Sequence, residues 1–211
     1  MLGLLYKDFC NLKKQLRIVL LFVFLYGIYA VSADMPTIMG SLIIVFSIMM
    51  PITSMSYDES YQWNRYALST PVSRKKLVLS KYVLGFLVAL GGLGCSLLFS
   101  WLVCRITGDV LGLETFVTFG LFLEMGVLFL SFTIPVMFRY GVEKGRLLMM
   151  LFAVAPSLLM IPLAEWLTKN DVPLPPAEVL VGLMVASPLF ILAIFLVSFR
   201  ISVNILKKKE F

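Results

Sequence analysis

The sequence predicts an all-helical integral membrane protein with six transmembrane helices, and two observations carry this prediction. Hydrophobic residues make up 60% of the chain and charged residues only 14%, far from the balance of soluble domains. The apolar residues also form long continuous runs, and a helix needs about 20 mostly apolar residues to cross the hydrocarbon layer. Continuous runs favour helices over a barrel, whose strands alternate apolar and polar residues. The six runs are Leu16–Ala33, Thr37–Met55, Val83–Ile106, Phe116–Phe138, Leu147–Thr168 and Val179–Phe199.

The distribution of positive charge predicts that both termini are cytoplasmic. Sixteen of the eighteen Lys and Arg residues lie in the N-terminal segment, the C-terminal tail and the alternate loops that share their side. Only Arg105 and Lys169 fall on the other side. Lys and Arg are enriched in cytoplasmic loops, so this asymmetry supports an N-in, C-in topology. The net charge of +6 is thus a topology signal rather than a sign of nucleic-acid binding, although Lys207–Lys209 would attract anionic lipid.

Residues 1–15 show a second helical pattern, which predicts an amphipathic helix lying in the inner membrane interface. Its apolar residues recur at steps of three and four: Leu2, Leu5, Phe9, Leu12 and Leu16. Its polar face carries Lys7, Asp8, Asn11, Lys14 and Gln15. Two alternatives remain: a frayed end of the first span, or a signal peptide cleaved after Val31-Ser32-Ala33.

Several enzymatic classes are excluded by residues that the sequence lacks. It contains no histidine, which removes Ser–His and Cys–His pairs and His-based zinc sites. It has no G-x-x-x-x-G-K-[ST] phosphate loop, so the chain does not hydrolyse ATP by itself in the usual manner. Cys10, Cys95 and Cys104 lack metal-ligand spacing. Any ATP-driven activity therefore requires a separate subunit that hydrolyses ATP.

One acidic residue, Glu124, falls inside the fourth apolar run. An ionisable group in a membrane is expensive, which makes Glu124 a candidate functional residue. The alternative is a protonated or hydrogen-bonded packing residue that faces other helices.

Small residues at four-residue spacing predict close helix packing. Gly92, Ser96 and Ser100 share one face of the third span, and Gly182 and Ala186 mark the sixth.

The segment 57–82 is the longest polar stretch between two apolar runs, and it is the best candidate for contact with a partner. It holds five Lys or Arg residues, two acids, a Trp and four Tyr. Thr70-Pro71 resembles a helix start, with Thr70 or Ser73 as the cap. We expect a short helical hairpin here, whose second helix runs from Ser73 through Tyr82 into the third span.

Several motifs follow one another in this segment: an acid pair, a Trp, a "lPvsR" turn and a "V-x-x-K-Y" start of the third helix. The residues that form them are Asp58-Glu59, Trp63, Tyr66 to Arg74 and Val78 to Tyr82. This order of motifs resembles the loop between the second and third spans of small bacterial ABC-2-type permeases. Chain length, six spans, short outer loops and a basic tail match as well, and Thr70 departs from the usual apolar residue before Pro71.

The resemblance implies a single permease domain, residues 1–211, in a bacterial plasma membrane. Such permeases form homodimers or heterodimers with a related permease, and each binds a cytoplasmic ABC ATPase that carries the ATP and Mg²⁺. Residues 58–81 are similar to the cytoplasmic coupling loop, with its coupling helix, that docks on the ATPase. The implied coupling residues are Asp58, Glu59, Trp63, Tyr66, Pro71, Val72, Ser73, Arg74, Lys75 and Lys81. Positive-inside topology alone is the other explanation for the cations.

The resemblance also suggests export of amphipathic or antimicrobial peptides or other hydrophobic cargo. Two alternatives stay open: an intramembrane enzyme that uses Glu124, and a channel or scaffold that needs no ATPase.

Overall fold

A computed structural model describes residues 2–33, 36–69, 72–108, 110–169 and 176–208. Within these ranges the regular structure is entirely helical, as predicted. The helices are α1 (Leu2–Ala33), α2 (Pro36–Ser60), α3 (Trp63–Ser69), α4 (Arg74–Thr107), α5 (Leu113–Tyr140), α6 (Val142–Lys169) and α7 (Ala177–Lys208).

Four helices are long and apolar enough to cross a membrane, over Gly40–Ser60, Arg74–Thr107, Leu113–Tyr140 and Gly182–Lys208. They correspond to the second, third, fourth and sixth predicted spans. The first and fifth predicted spans lie within α1 and α6, where the structure shows continuous helices. The protein is therefore a multi-pass membrane protein, while the count of six spans and the N-in, C-in orientation stay predictions.

Helix α2 occupies the centre of the bundle and packs against α1, α4 and α5. Helix α7 packs against α5 and α4, and α6 packs mainly against α5. The main core lies between α2, α4, α5 and α7, where Ile44, Val78, Leu130 and Ile134 are fully buried. A smaller core of Leu12, Met50 and Leu84 holds α1 against α2 and α4.

Small residues allow the central helices to approach closely, as the sequence predicted for the third span. Gly92, Ser96 and Ser100 are all buried in α4. A Cβ atom on Gly92 would meet Ser47 of α2. The pair in the sixth span differs, since Gly182 has no neighbouring atom within 4 Å and Ala186 is exposed.

The N-terminal segment is not a separate element. Helix α1 runs without a break from Leu2 to Ala33, because no Gly or Pro interrupts the sequence between Leu4 and Tyr26. Its buried face also differs from the predicted one. Asp8, assigned to the polar face, is only 1% exposed, whereas Phe9 of the apolar face is exposed.

The terminal turns of the six long helices meet at one end of the bundle, which we call the α3 end. The first turns of α1, α4 and α6 and the last turns of α2, α5 and α7 lie there. The start of α1 and the end of α7 therefore lie on the same side of the bundle, which is the predicted cytoplasmic side.

Candidate coupling region and buried ion cluster

The predicted coupling region, residues 58–81, contains parts of three helices. Asp58 and Glu59 belong to the last turn of α2, which continues to Ser60. Trp63 and Tyr66 lie in α3, which is the short helix between the second and third predicted spans. Residues 74–82, predicted to form the second helix of a hairpin, are the first turns of the continuous α4.

Ser73, one of the two predicted caps, is the N-cap of α4. Its side-chain oxygen accepts a hydrogen bond from the backbone N–H of Lys76 at 3.3 Å. This bond satisfies one of the free donors in the first helical turn. Val72 is half-buried beside it, and Thr70 and Pro71 lie outside the described residues.

Tyr66 and Lys75, both predicted coupling residues, point outward. Tyr66 is 62% exposed, and its ring centroid lies 5.3 Å from that of Trp63. Lys75 is also exposed, together with Tyr61, Arg65 and Lys76, which the sequence did not single out. We call these five exposed residues the outer face of the coupling region: Tyr61, Arg65, Tyr66, Lys75 and Lys76.

Asp58 and Lys81 instead point inward and pair with each other. The Lys81 Nζ atom lies 2.6 Å from Asp58 Oδ2 and 2.9 Å from Asp8 Oδ1. Lys7 Nζ lies 2.5 Å from Asp58 Oδ1 and 3.0 Å from Asp8 Oδ1. The two lysines and two aspartates thus form a closed ring of alternating charge, which we call the ion cluster.

Three of the four side chains of the ion cluster are almost inaccessible to solvent. Lys81, Asp58 and Asp8 are 3%, 4% and 1% exposed, whereas Lys7 is 21% exposed. The hydroxyl of Ser54 accepts a bond from Lys81 Nζ at 2.9 Å and donates one to Asp8 Oδ1 at 3.0 Å. Charges removed from water in this way must be paired to be tolerated.

Lys7 extends the cluster to α3. Its Nζ atom lies 4.5 Å from the centroid of the Trp63 ring, which is within cation–π range. Trp63, predicted as a coupling residue, therefore contacts the N-terminal helix through its ring face.

A second polar link joins the start of α4 to the end of α7. Arg74 Nη1 donates to the carbonyl oxygens of Leu206 and Lys207, both at 2.7 Å. The last carbonyls of a helix lack partners within the helix and attract cations. Farther along α4, Tyr82 also contacts α7: its hydroxyl lies 2.6 Å from Ser198 Oγ and 2.8 Å from Ser202 Oγ.

A third link joins α2 to the α5–α6 corner. Glu59 Oε2 accepts the backbone N–H of Val142, the first residue of α6, at 2.5 Å. Gly141 forms the corner with φ +83° and ψ 173°. A Cβ atom there would lie 2.6 Å from Glu59 Oε1, so the glycine makes room for this carboxylate.

An open pocket of about 350 Å³ lies between these links. Asp58, Glu59, Arg65, Lys81 and Val142 are among its lining residues. Acidic and basic groups share its wall, so its charge does not favour one class of ligand.

Glu124 is half-buried and has a hydrogen-bond partner on α7. Ser187 of α7 donates a hydrogen bond to Glu124 Oε2 at 2.7 Å. This geometry is that of the hydrogen-bonded packing residue that the sequence left open. In the described ranges, no three His, Cys, Asp or Glu residues group as metal ligands.

Sequence reasoning missed Lys7, Asp8 and Ser54 as members of a site. The partners Lys7 and Asp58 are 51 residues apart and Asp8 and Lys81 are 73 apart, so no local spacing connects them. The available signal was the presence of an acidic residue, Asp8, next to a lysine in a predicted helix close to a membrane.

Comparison with known families identifies the chain. A family model described as ABC-2 family transporter protein matches residues 3–207. The chain belongs to the ABC-2 family of transporter proteins. The match includes α1 with Lys7 and Asp8, the whole coupling region and α7 up to Lys207. A search of curated proteins found no significant match to this ABC-2 protein.

Proposed function

We propose that this ABC-2 protein is the permease subunit of an exporter driven by a separate cytoplasmic ABC ATPase. The observation that carries the proposal is the family match over residues 3–207. The sequence lacks a phosphate loop, which supports a separate ATPase subunit as the chain that binds ATP and Mg²⁺. The permease contributes the translocation path as a dimer with an identical or related chain.

The outer face of the coupling region is the proposed docking surface. Tyr66 offers an exposed aromatic ring, and Lys75 offers an exposed charge for acidic residues of the ATPase. Asp58 and Lys81 have a different role in this proposal, because their charges already neutralise each other inside the protein. They position α2 and α4 behind the docking surface.

The proposed cargo is an amphipathic peptide or another hydrophobic molecule. The support is the outward surface of α7, which exposes large apolar side chains such as Leu183, Leu189 and Phe190. The Glu124–Ser187 pair adds hydrogen-bonding groups at the α5–α7 contact. Cargo of mixed polarity suits such a surface. Peptide-stimulated ATP hydrolysis in the reconstituted complex tests this part, and an unchanged rate across amphipathic peptides argues against it.

Affinity purification of the tagged protein from its native membrane, followed by mass spectrometry, tests the exporter proposal. A stoichiometric ATPase with a phosphate-binding loop is the expected partner. The double variant Tyr66→Ala/Lys75→Glu should lower the amount of ATPase recovered by removing both groups of the outer face. Glu114→Gln, exposed at the start of α5, is the matched control and should leave recovery unchanged. A pure oligomer recovered without any ATPase contradicts the proposal.

Glu124→Gln distinguishes the exporter from an intramembrane enzyme. The amide keeps a hydrogen-bonding group opposite Ser187 and removes only the ability to ionise. We expect ATPase recovery and basal ATP hydrolysis to match the unmodified protein. Complete loss of function with a normally assembled complex would instead support acid–base chemistry at Glu124.

A further inference from the structure

We propose that the ion cluster, together with Trp63, is the joint that makes α1 move with the coupling region. The inference rests on the proposed exporter function, because the movement to be transmitted is the one that a docked ATPase imposes on α3. It assigns Lys7, Asp8, Asp58 and Lys81 as positioning residues within the permease.

Each helix of the coupling region reaches the cluster with one side chain. Asp58 comes from the last turn of α2, Trp63 from α3, and Lys81 from the second turn of α4 after Arg74. Helix α1 supplies Lys7 and Asp8. A displacement of α3, or of the helix ends beside it, therefore moves a group that is bonded directly to α1.

Helix α1 also packs against α2 and α4 through apolar and aromatic side chains. Leu12 packs against Met50 and Leu84, and the ring of Phe22 stacks on that of Phe46 with 5.8 Å between the centroids. The ion cluster adds a charged connection to both neighbours at the N-terminal end of α1.

Charge gives this connection a property that apolar packing lacks. Apolar contacts are non-directional, so they do not specify which pairs of atoms face each other across two helices. Ion pairs that are nearly buried oppose displacement, because separating them leaves poorly solvated charges without partners. Apolar side chains of similar volume often stabilise a protein equally well, so stability alone does not require charges at these positions. We therefore assign the charges to a directional connection between α1 and the helices α2 and α4.

The first experiment measures the linkage in the permease alone, reconstituted in lipid nanodiscs. Spin labels are attached to Tyr6→Cys in α1 and Lys76→Cys in α4, both exposed positions, after Cys10, Cys95 and Cys104 are replaced. Pulsed electron paramagnetic resonance then gives the distance distribution. We expect one narrow peak for the intact cluster. Asp8→Asn should broaden or shift that peak, whereas Lys13→Gln, an exposed charge change on the same helix, should not.

An apolar variant covers the case in which Asp8→Asn fails to fold. It combines Lys7→Met, Asp8→Leu, Asp58→Leu and Lys81→Met, which keeps the buried volume and leaves no unpaired charge. We expect it to elute as a folded protein and to lose the narrow peak. A narrow, unshifted peak in this variant overturns the proposed joint.

The second experiment uses the complex with its co-purified ATPase and adds nucleotide. Labels at Tyr6 and Asn204 report movement of α1, and labels at Phe86 and Asn204, both outside the docking surface, report movement of α4. With the cluster intact, nucleotide should shift both distances. In the apolar variant, the α4 shift should remain and the α1 shift should be lost. Equal α1 shifts in both proteins overturn the inference. Absence of an ATPase contradicts the exporter proposal instead, while the first experiment still determines whether the cluster joins α1 to α4.

Discussion

Lys81 shows how strongly the role of a residue depends on what surrounds it. Its ammonium group lies between the carboxylates of Asp8 and Asp58, whereas Lys75, six residues earlier in the same helix, is exposed. A buried charge without partners is expensive, and an exposed one is solvated at little cost. Substitutions of these two lysines should therefore have very different effects.

Lys81→Met should destabilise the protein by about 3–5 kcal/mol, because it leaves two buried carboxylates with only Lys7 as a partner. Thermal unfolding of the purified protein in detergent measures the change. The double variant Asp8→Asn/Lys81→Met should lose less stability than Lys81→Met alone, since it leaves Lys7 and Asp58 as one balanced ion pair.

Lys75→Gln is the matched control and should stay within about 0.5 kcal/mol of the unmodified protein. A loss of stability at Lys75 as large as that at Lys81 would contradict the difference in burial on which the prediction depends.

Gly141→Ala should cost about 1–3 kcal/mol, because a backbone with φ +83° and ψ 173° is essentially restricted to glycine. The new Cβ atom would also approach Glu59 Oε1 and disturb the bond from Glu59 to Val142. The same unfolding measurement tests this substitution. Gly120→Ala, in a part of α5 with no atom within 4 Å of the new Cβ, should be tolerated.

Among the elements, α4 connects the coupling region to the rest of the bundle. Within its first nine residues, Arg74 binds the end of α7, Lys81 joins α1 and α2, and Tyr82 binds α7 again. The helix then continues unbroken to Thr107. A rigid helix with these attachments transmits a displacement at Arg74 to three neighbours.

Arg74→Gln should loosen the end of α7, because the carbonyls of Leu206 and Lys207 lose a charged donor. Hydrogen exchange followed by mass spectrometry should show faster exchange in the peptide that contains Leu206, with little change in α5. Lys76→Gln, an exposed change in the same turn, should leave exchange in α7 unaltered. Equal protection in both variants would mean that the Arg74 contact does not hold the helix end.

At the scale of the whole molecule, the long helices alternate in direction so that their polar turns gather at the α3 end. The three links made by the ion cluster, Arg74 and Glu59 all lie there. A displacement of α3 therefore acts on a region where ion pairs and hydrogen bonds connect the helices to one another. Farther from it, the outer surfaces of α1 and α5 expose mainly apolar side chains, as expected for contact with lipid.

The predicted orientation is tested by labelling single cysteines in intact cells with a membrane-impermeant maleimide, after the three native cysteines are replaced. Val110→Cys, at an 88% exposed position between α4 and α5, should react from outside. Lys76→Cys should react only after the membrane is permeabilised, because the α3 end is the predicted cytoplasmic end. The reverse pattern would place the α3 end outside and remove the basis for docking an ATPase there.

Local sequence features predicted much of the architecture. The apolar runs predicted helices, the stripe of Gly92, Ser96 and Ser100 predicted a closely packed face, and Ser73 was one of two residues predicted as a cap. These features depend on residues within a few turns of each other, for which helical periodicity is sufficient. The resemblance of residues 58–82 to ABC-2 permeases was confirmed by a family match over nearly the whole chain.

The sequence by itself determined that this is a helical membrane protein of the ABC-2 type with a polar segment between its second and third spans. Only the tertiary structure decided which residues of that segment face outward and which pair inside. Asp58 and Lys81 looked like docking residues beside Lys75, yet the fold turns them towards Asp8 and Lys7 of α1. The reason is physical: a charge is either solvated or paired, and the partners that α1 supplies to Asp58 and Lys81 lie more than 50 residues away, beyond the reach of any local pattern.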